Sequence, residues 1–157
     1  TEVVMKKVLG IAAALVLLAG IPAFAAGPAG LTGFGVYGSV GSTNGAIGGG
    51  VGLSLKWASF PVVGLQYDFT ADRFGASVDY YVIDAEGLGS GLSYFLGAGL
   101  FAGLAGGTFD FGLRIPFGLQ FWPVKKFELY LSPVLSIPLA PTPSLGIRAG
   151  FGARVRF

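Results

Sequence analysis

The sequence predicts an all-β fold: an eight-stranded antiparallel up-and-down transmembrane β-barrel, preceded by a cleavable signal peptide. Three observations carry this. Apolar residues recur at every second position through most of the chain, charged residues make up only 11% of it against 53% hydrophobic, and 28 of the 157 residues are glycine without a three-residue period. A soluble domain of this length would carry about a quarter charged residues.

The first segment is read as an address rather than as fold. Met5-Lys6-Lys7 is basic, Val8 to Ile21 is apolar, and Pro22-Ala23-Phe24-Ala25 places the small residues Ala23 and Ala25 where a signal peptidase reads. Cleavage is expected after Ala25, giving a signal peptide over 1–25 and a barrel over 26–157, with residues 1–4 a start-site artefact. The competing reading is a permanent anchor, since 8–26 is just long enough to span a bilayer, but Pro22 and the small-residue site fit cleavage better. Without the segment, eight basic and seven acidic side chains remain.

Strands follow in order. The first (about 31–42) is glycine-rich and weak. The second alternates Val51, Leu53, Leu55 and Trp57 with Gly50, Gly52, Ser54 and Lys56, and the third alternates Val63, Leu65, Tyr67 and Phe69 with Gly64, Gln66, Asp68 and Thr70. The fourth alternates Phe74, Ala76, Val78, Tyr80 and Val82 with Gly75, Ser77, Asp79 and Tyr81; the fifth (about 90–103) is again weak. The last three follow one rule throughout: Phe109 to Phe121, Phe127 to Leu139 and Leu145 to Phe157 place apolar residues at odd numbers. Turn chemistry falls at 42–45, 58–61, 70–72, 84–87, 106–107, 123–126 and 140–144.

Alternation alone also fits a soluble barrel with its greasy face inside. Volume decides, because an eight-stranded barrel is only just wide enough for side chains to fill, and one face here is crowded with Phe, Leu, Ile and Val. The other face is mostly Gly and Ser rather than the Lys and Glu of a wetted surface. The greasy side therefore faces lipid, and closure pairs every strand edge where hydrocarbon offers no hydrogen bonds. Aromatics fall near the ends of the apolar band, Trp57, Tyr80, Phe121, Phe127 and Phe157 at one rim and Phe69, Phe74 and Phe109 at the other, as an interfacial girdle.

The same parity turns Lys56, Arg114, Arg148, Arg154 and Arg156 inward, together with Asp68, Asp79, Asp110 and Glu128. Near-balanced charge in a narrow lumen predicts a salt-bridged plug, since unpaired buried charge is costly. The alternative is a narrow channel or carrier for small solutes or hydrophobic compounds. Catalysis is not expected. There is no histidine to activate a serine or a water, no cysteine or histidine to hold a metal, and Gly48 to Gly52 lacks the Lys-Ser/Thr of a phosphate loop. Asp68 and Asp79 could neighbour each other across a hairpin for acid–base work, but pairing of each with an inward Arg is the simpler expectation. No cofactor is implied, and a net charge of +2 without a basic block points away from nucleic acid.

Gly150-Phe151-Gly152-Ala153-Arg154-Val155-Arg156-Phe157 resembles the C-terminal β-signal of outer-membrane proteins. That resemblance implies recognition of Phe151, Val155 and Phe157 by the barrel-assembly machinery. Over about residues 26–157 the chain resembles the OmpA/OmpX/OmpW-like small barrels, and Phe111 to Leu119 is similar to a spirochaete group of small barrels. It implies export through the periplasm, an integral outer-membrane location, a monomer in contact with the lipid bilayer, and contact with lipopolysaccharide or another outer-leaflet lipid. Members with adhesive roles have longer protruding strands, while the outer loops expected here (about 42–45, 70–73, 103–108 and 140–144) are short.

Overall fold

Alternating side chains of unlike character favour the extended backbone, and glycine at the inward positions lets neighbouring strands approach closely. A computed structural model describes residues 32–43, 46–56, 61–124 and 126–157. Eight strands run in chain order: β1 Gly33–Thr43, β2 Ala46–Lys56, β3 Val62–Asp68, β4 Arg73–Gly89, β5 Leu92–Ala105, β6 Thr108–Val124, β7 Phe127–Ala140 and β8 Gly146–Arg156. Each pairs antiparallel with its sequence neighbours, and β1 pairs with β8 from Gly33↔Arg156 to Thr43↔Gly146, which closes the barrel. The expected signal peptide over 1–25, its cleavage residues Ala23 and Ala25, and the rim residue Trp57 lie outside the described residues.

The distribution of burial is the reverse of a soluble domain. Phe34, Leu53, Leu113, Phe117, Leu131 and Phe151 are exposed on the outer wall, whereas Asp68, Gln120, Glu128, Arg154 and Arg156 are buried. Such a belt is what a bilayer covers, and the closed ladder leaves hydrocarbon no strand edge to meet. Ala76 and Val78 are outward positions shielded by neighbours including Val63, a small cluster in the wall itself.

One element departs from expectation. Asp84-Ala85-Glu86-Gly87 reads as a turn, but β4 continues to Gly89 and the chain reverses through Gly89, Ser90 and Gly91, all at positive φ. The polar quartet is instead an irregular stretch of strand, with the β4–β5 register shifting between Tyr81 and Ile83 and again before Glu86. Ala85 takes the left-handed region (φ 54°), and its N–H donates to Gln120 Oε1 at 3.1 Å. The irregularity turns Asp84 into the lumen. It also changes the place of Tyr80: because β4 runs on to Gly89, Tyr80 stands within the strand opposite Ala98 rather than at its end. Phe69, Phe74, Phe109, Phe121 and Phe157 are outward and exposed, and Phe127 is half-buried.

Candidate functional site: the charged lumen

Inward positions of every strand converge on one axis, so the site is the lumen. It divides into tiers set by the strand register. The tier nearest the termini draws on β2, β4, β6, β7 and β8. Glu128 is its hub: Arg154 Nη1 donates to both carboxylate oxygens at 3.1 Å, Arg156 Nε donates to Oε2 at 2.6 Å, and Gln120 Nε2 donates to Oε1 at 2.9 Å. Asp84 is the second acceptor, 2.9 Å from Lys56 Nζ and 3.5 Å from Arg156 Nη2. Gln120 is held on both ends of its amide, since its Oε1 accepts from Ala85 N–H and Ser93 Oγ while its Nε2 reaches Glu128 and, at 3.3 Å, Asp84. Aromatic faces cover the guanidiniums: Arg154 lies 4.8 Å from the Tyr130 ring centroid and Arg156 5.4 Å from that of Trp122. The ion-pairing side chains of this tier are 0–6% exposed.

This packing depends on a glycine. A Cβ at Gly33 would stand 2.6 Å from the Cδ atoms of both Arg154 and Arg156, so only a bare backbone leaves those two stems room to lie side by side.

Higher in the barrel the charges form separate pairs. Arg114 Nε lies 2.9 Å from Asp79 Oδ1, although without hydrogen-bond alignment. Nearest the loops, Arg148 Nη2 donates to Asp68 at 2.5 Å, and Arg73 donates through Nε and Nη2 to Asp110 at 2.8–3.2 Å. Asp68 also accepts from the N–H groups of Thr70 and Ala71, which ties the β3–β4 turn to the lumen. On the same turn the Tyr67 hydroxyl donates to Asp72. Between the tiers lies a cavity of about 260 Å³.

All eight residues singled out for the lumen, Lys56, Asp68, Asp79, Asp110, Arg114, Glu128, Arg148 and Arg154, point inward, as does Arg156. The structure adds Arg73, Asp84 and Gln120. Arg73 continues the inward phase of Gly75, Ser77 and Asp79 but reads as loop; Gln120 has the right parity but no charge; for Asp84 the irregular stretch of β4 breaks the parity, so no sequence signal points to it. Asp68 and Asp79 are not neighbours, because the β3–β4 register sets Asp68 opposite Arg73 and Asp79 opposite Val62. Among the described residues no group of three or more His, Cys, Asp or Glu side chains forms a candidate metal site. Phe151, Val155 and Phe157 all face outward on β8 or just beyond it and are more than half exposed.

No protein-family model matches the chain. No curated protein sequence matches it either. Solved structures do. Neisserial surface protein A is 18% identical, with a TM-score of 0.55 over 81% of this chain and 96% of its own. The N-terminal β-barrel domain of Pseudomonas aeruginosa OprF is 17% identical, with a TM-score of 0.53 over 80% of this chain and 97% of its own. With its closed ladder, inverted burial and charged lumen, the chain has the fold of the small eight-stranded outer-membrane β-barrels.

Proposed function

We propose that residues 26–157 form a non-enzymatic, monomeric, integral barrel of a bacterial outer membrane, exported through the periplasm, with a lumen plugged by ion pairs. Its role in this reading is envelope structure or surface interaction. One observation carries it: Lys56, Asp84, Gln120, Glu128, Arg154 and Arg156 occupy the cross-section near the termini with almost no solvent access. Moving an ion through that tier requires breaking several charge-assisted hydrogen bonds at once, and eight strands leave no room beside it. The outward Phe69, Phe74 and Phe109 contact the outer leaflet, lipopolysaccharide or another lipid, and Phe151, Val155 and Phe157 present the edge read by the assembly machinery.

A second reading, a narrow channel or small-solute carrier, draws on the cavity above the plug. Single-channel recording in planar bilayers separates the two. The refolded mature chain is expected to give no discrete conductance steps; steady, reproducible openings would overturn the plug and favour the channel. A heat-modifiable gel shift, present after refolding in micelles and absent in plain buffer, tests the membrane reading that underlies both.

A further inference from the structure

The cavity in the upper lumen has the features of a binding pocket rather than of a packing defect. Four arginines line it, Arg73, Arg114, Arg148 and Arg154, against two carboxylates, Asp79 and Asp110. The counter-ions of the other two arginines, Asp68 and Glu128, are buried to 1% and 0% exposure. The lining therefore holds more guanidiniums than carboxylates, although every arginine is paired.

Two lining side chains on one strip of that wall have polar atoms that are buried without a hydrogen-bond partner, Ser39 Oγ and Arg148 Nη1. Ser39 pairs directly with Gly150, and Arg148 lies two residues along the same strand. Farther round the lumen Arg114 Nε and Asp79 Oδ1 stand 2.9 Å apart as an ion pair without hydrogen-bond alignment. A buried donor in this state keeps its desolvation penalty unless something accepts from it. The Gly150 position is open: a Cβ there would meet nothing nearer than backbone oxygens at 3.6 and 3.8 Å. Flat apolar faces complete the pocket, with Phe101 and Tyr130 among its walls.

Among the described residues, the ion-pairing side chains are more exposed toward the loops than toward the termini. The ion-pairing side chains of the terminal tier are 0–6% exposed, whereas Arg73, Asp110, Arg114 and Arg148 are 13–26% exposed. That gradient is what a pocket entered from the loops and floored by the terminal tier requires. Its volume, about 260 Å³, exceeds the roughly 150 Å³ that accommodates a benzene ring in an apolar cavity.

From these features we infer that the upper lumen is a blind, loop-facing binding site for a small organic anion, a carboxylate on a flat apolar body. The carboxylate accepts from Arg148 Nη1 and Ser39 Oγ–H beside Gly150, and the body lies against the aromatic wall. This deepens the plugged-barrel reading and rests on it, because the plug is the floor of the site.

Three compounds of one shape and different charge test it: benzoate, benzamide and benzamidine, titrated by calorimetry into the mature chain refolded in micelles. Benzoate is expected to bind saturably at one site, at least about tenfold more tightly than the neutral and cationic analogues, which also control for partition into detergent. Arg148→Gln removes the guanidinium and its charge, and Gly150→Leu fills the space while keeping every charge. Each is expected to weaken benzoate at least about tenfold while the heat-modifiable shift persists. Equal binding of the three compounds, absence of saturable benzoate binding, or unchanged affinity in Gly150→Leu overturns the proposal. Should Arg148→Gln not fold, Gly150→Leu and the charge series decide alone. Conductance is recorded on the same preparation, so that failure of the plug is seen as open channels and failure of the pocket as lost charge selectivity.

Discussion

The two ends of the lumen solve the same problem differently. Both carry charge across a narrow barrel. At the terminal end, two carboxylates and Gln120 serve three cations, and each acceptor is shared: Glu128 takes bonds from Arg154, Arg156 and Gln120, and Asp84 faces Lys56 and Arg156. At the loop end, Arg148–Asp68 and Arg73–Asp110 are separate couples in partial contact with solvent. Sharing multiplies the consequence of losing one member and excludes water; isolated couples leave space and donors. In the proposed reading, one end seals and the other admits.

The largest effect therefore belongs to the hub. Glu128→Gln keeps the shape but withdraws the charge from Arg154 and Arg156 together, and the expected loss is about 3–5 kcal/mol in denaturant-induced unfolding from micelles or vesicles. A loss no greater than that of a loop-end variant would remove the distinction between the ends. Asp84→Asn comes next, at about 3 kcal/mol, since Lys56 and Arg156 lose a partner while Arg156 keeps Glu128. If either variant stays folded, it is also the one expected to pass current in a planar bilayer, because water enters where the network has opened.

How far these tiers were legible in the sequence follows from the same contrast. Where strands obey strict period two, as in β6, β7 and β8, the faces of Arg114, Glu128, Arg148 and Arg154 follow from parity, because a pleated strand has no third direction for a side chain. The outward direction of the apolar face was legible too, since that face exceeds what eight strands can enclose, and closure followed because hydrocarbon leaves no strand edge a partner. Asp84 was not, because register shifts reset the phase of β4 beyond Tyr81 and a stretch rich in Asp, Glu and Gly has the composition of a turn. Gln120 has the inward parity but no charge to mark it, since its importance comes from bonding Glu128, Asp84, Ser93 and Ala85 at once, which only the assembled register reveals. Partners that meet across the lumen were illegible for a related reason: Arg148 meets Asp68 between strands that share no ladder, whereas Glu128 and Arg154 are direct cross-strand neighbours.

The middle couple sharpens the comparison. Arg114→Ala leaves Asp79 buried near the cavity, and the expected destabilisation is about 2 kcal/mol, between the values for the two ends. The cavity is the reason for the smaller loss, since water can enter and solvate the abandoned carboxylate. A stability equal to wild type, with conductance alone altered, would mean that the pair guards a passage and does not brace the barrel.

The smallest effect is expected nearest the loops. In the Arg73–Asp110 couple the side chains are 13% and 26% exposed, and the Arg73 guanidinium also lies 5.8 Å from the Phe101 ring centroid, so that it retains a partner when the carboxylate is neutralised. Asp110→Asn should cost about 1 kcal/mol or less, and the cost should shrink further in high salt, as for a solvent-screened pair. Glu128→Gln, measured under the same salt series, should be insensitive, because ions do not reach a carboxylate with no exposed surface. The contrast in salt dependence is a stricter test than the contrast in magnitude: two tiers of unequal strength could still be equally wet, but only a sealed tier ignores the ionic strength outside it. A loss in Asp110→Asn as large and as salt-independent as that in Glu128→Gln would mean that the loop end is closed as well, and the lumen would then have no open side.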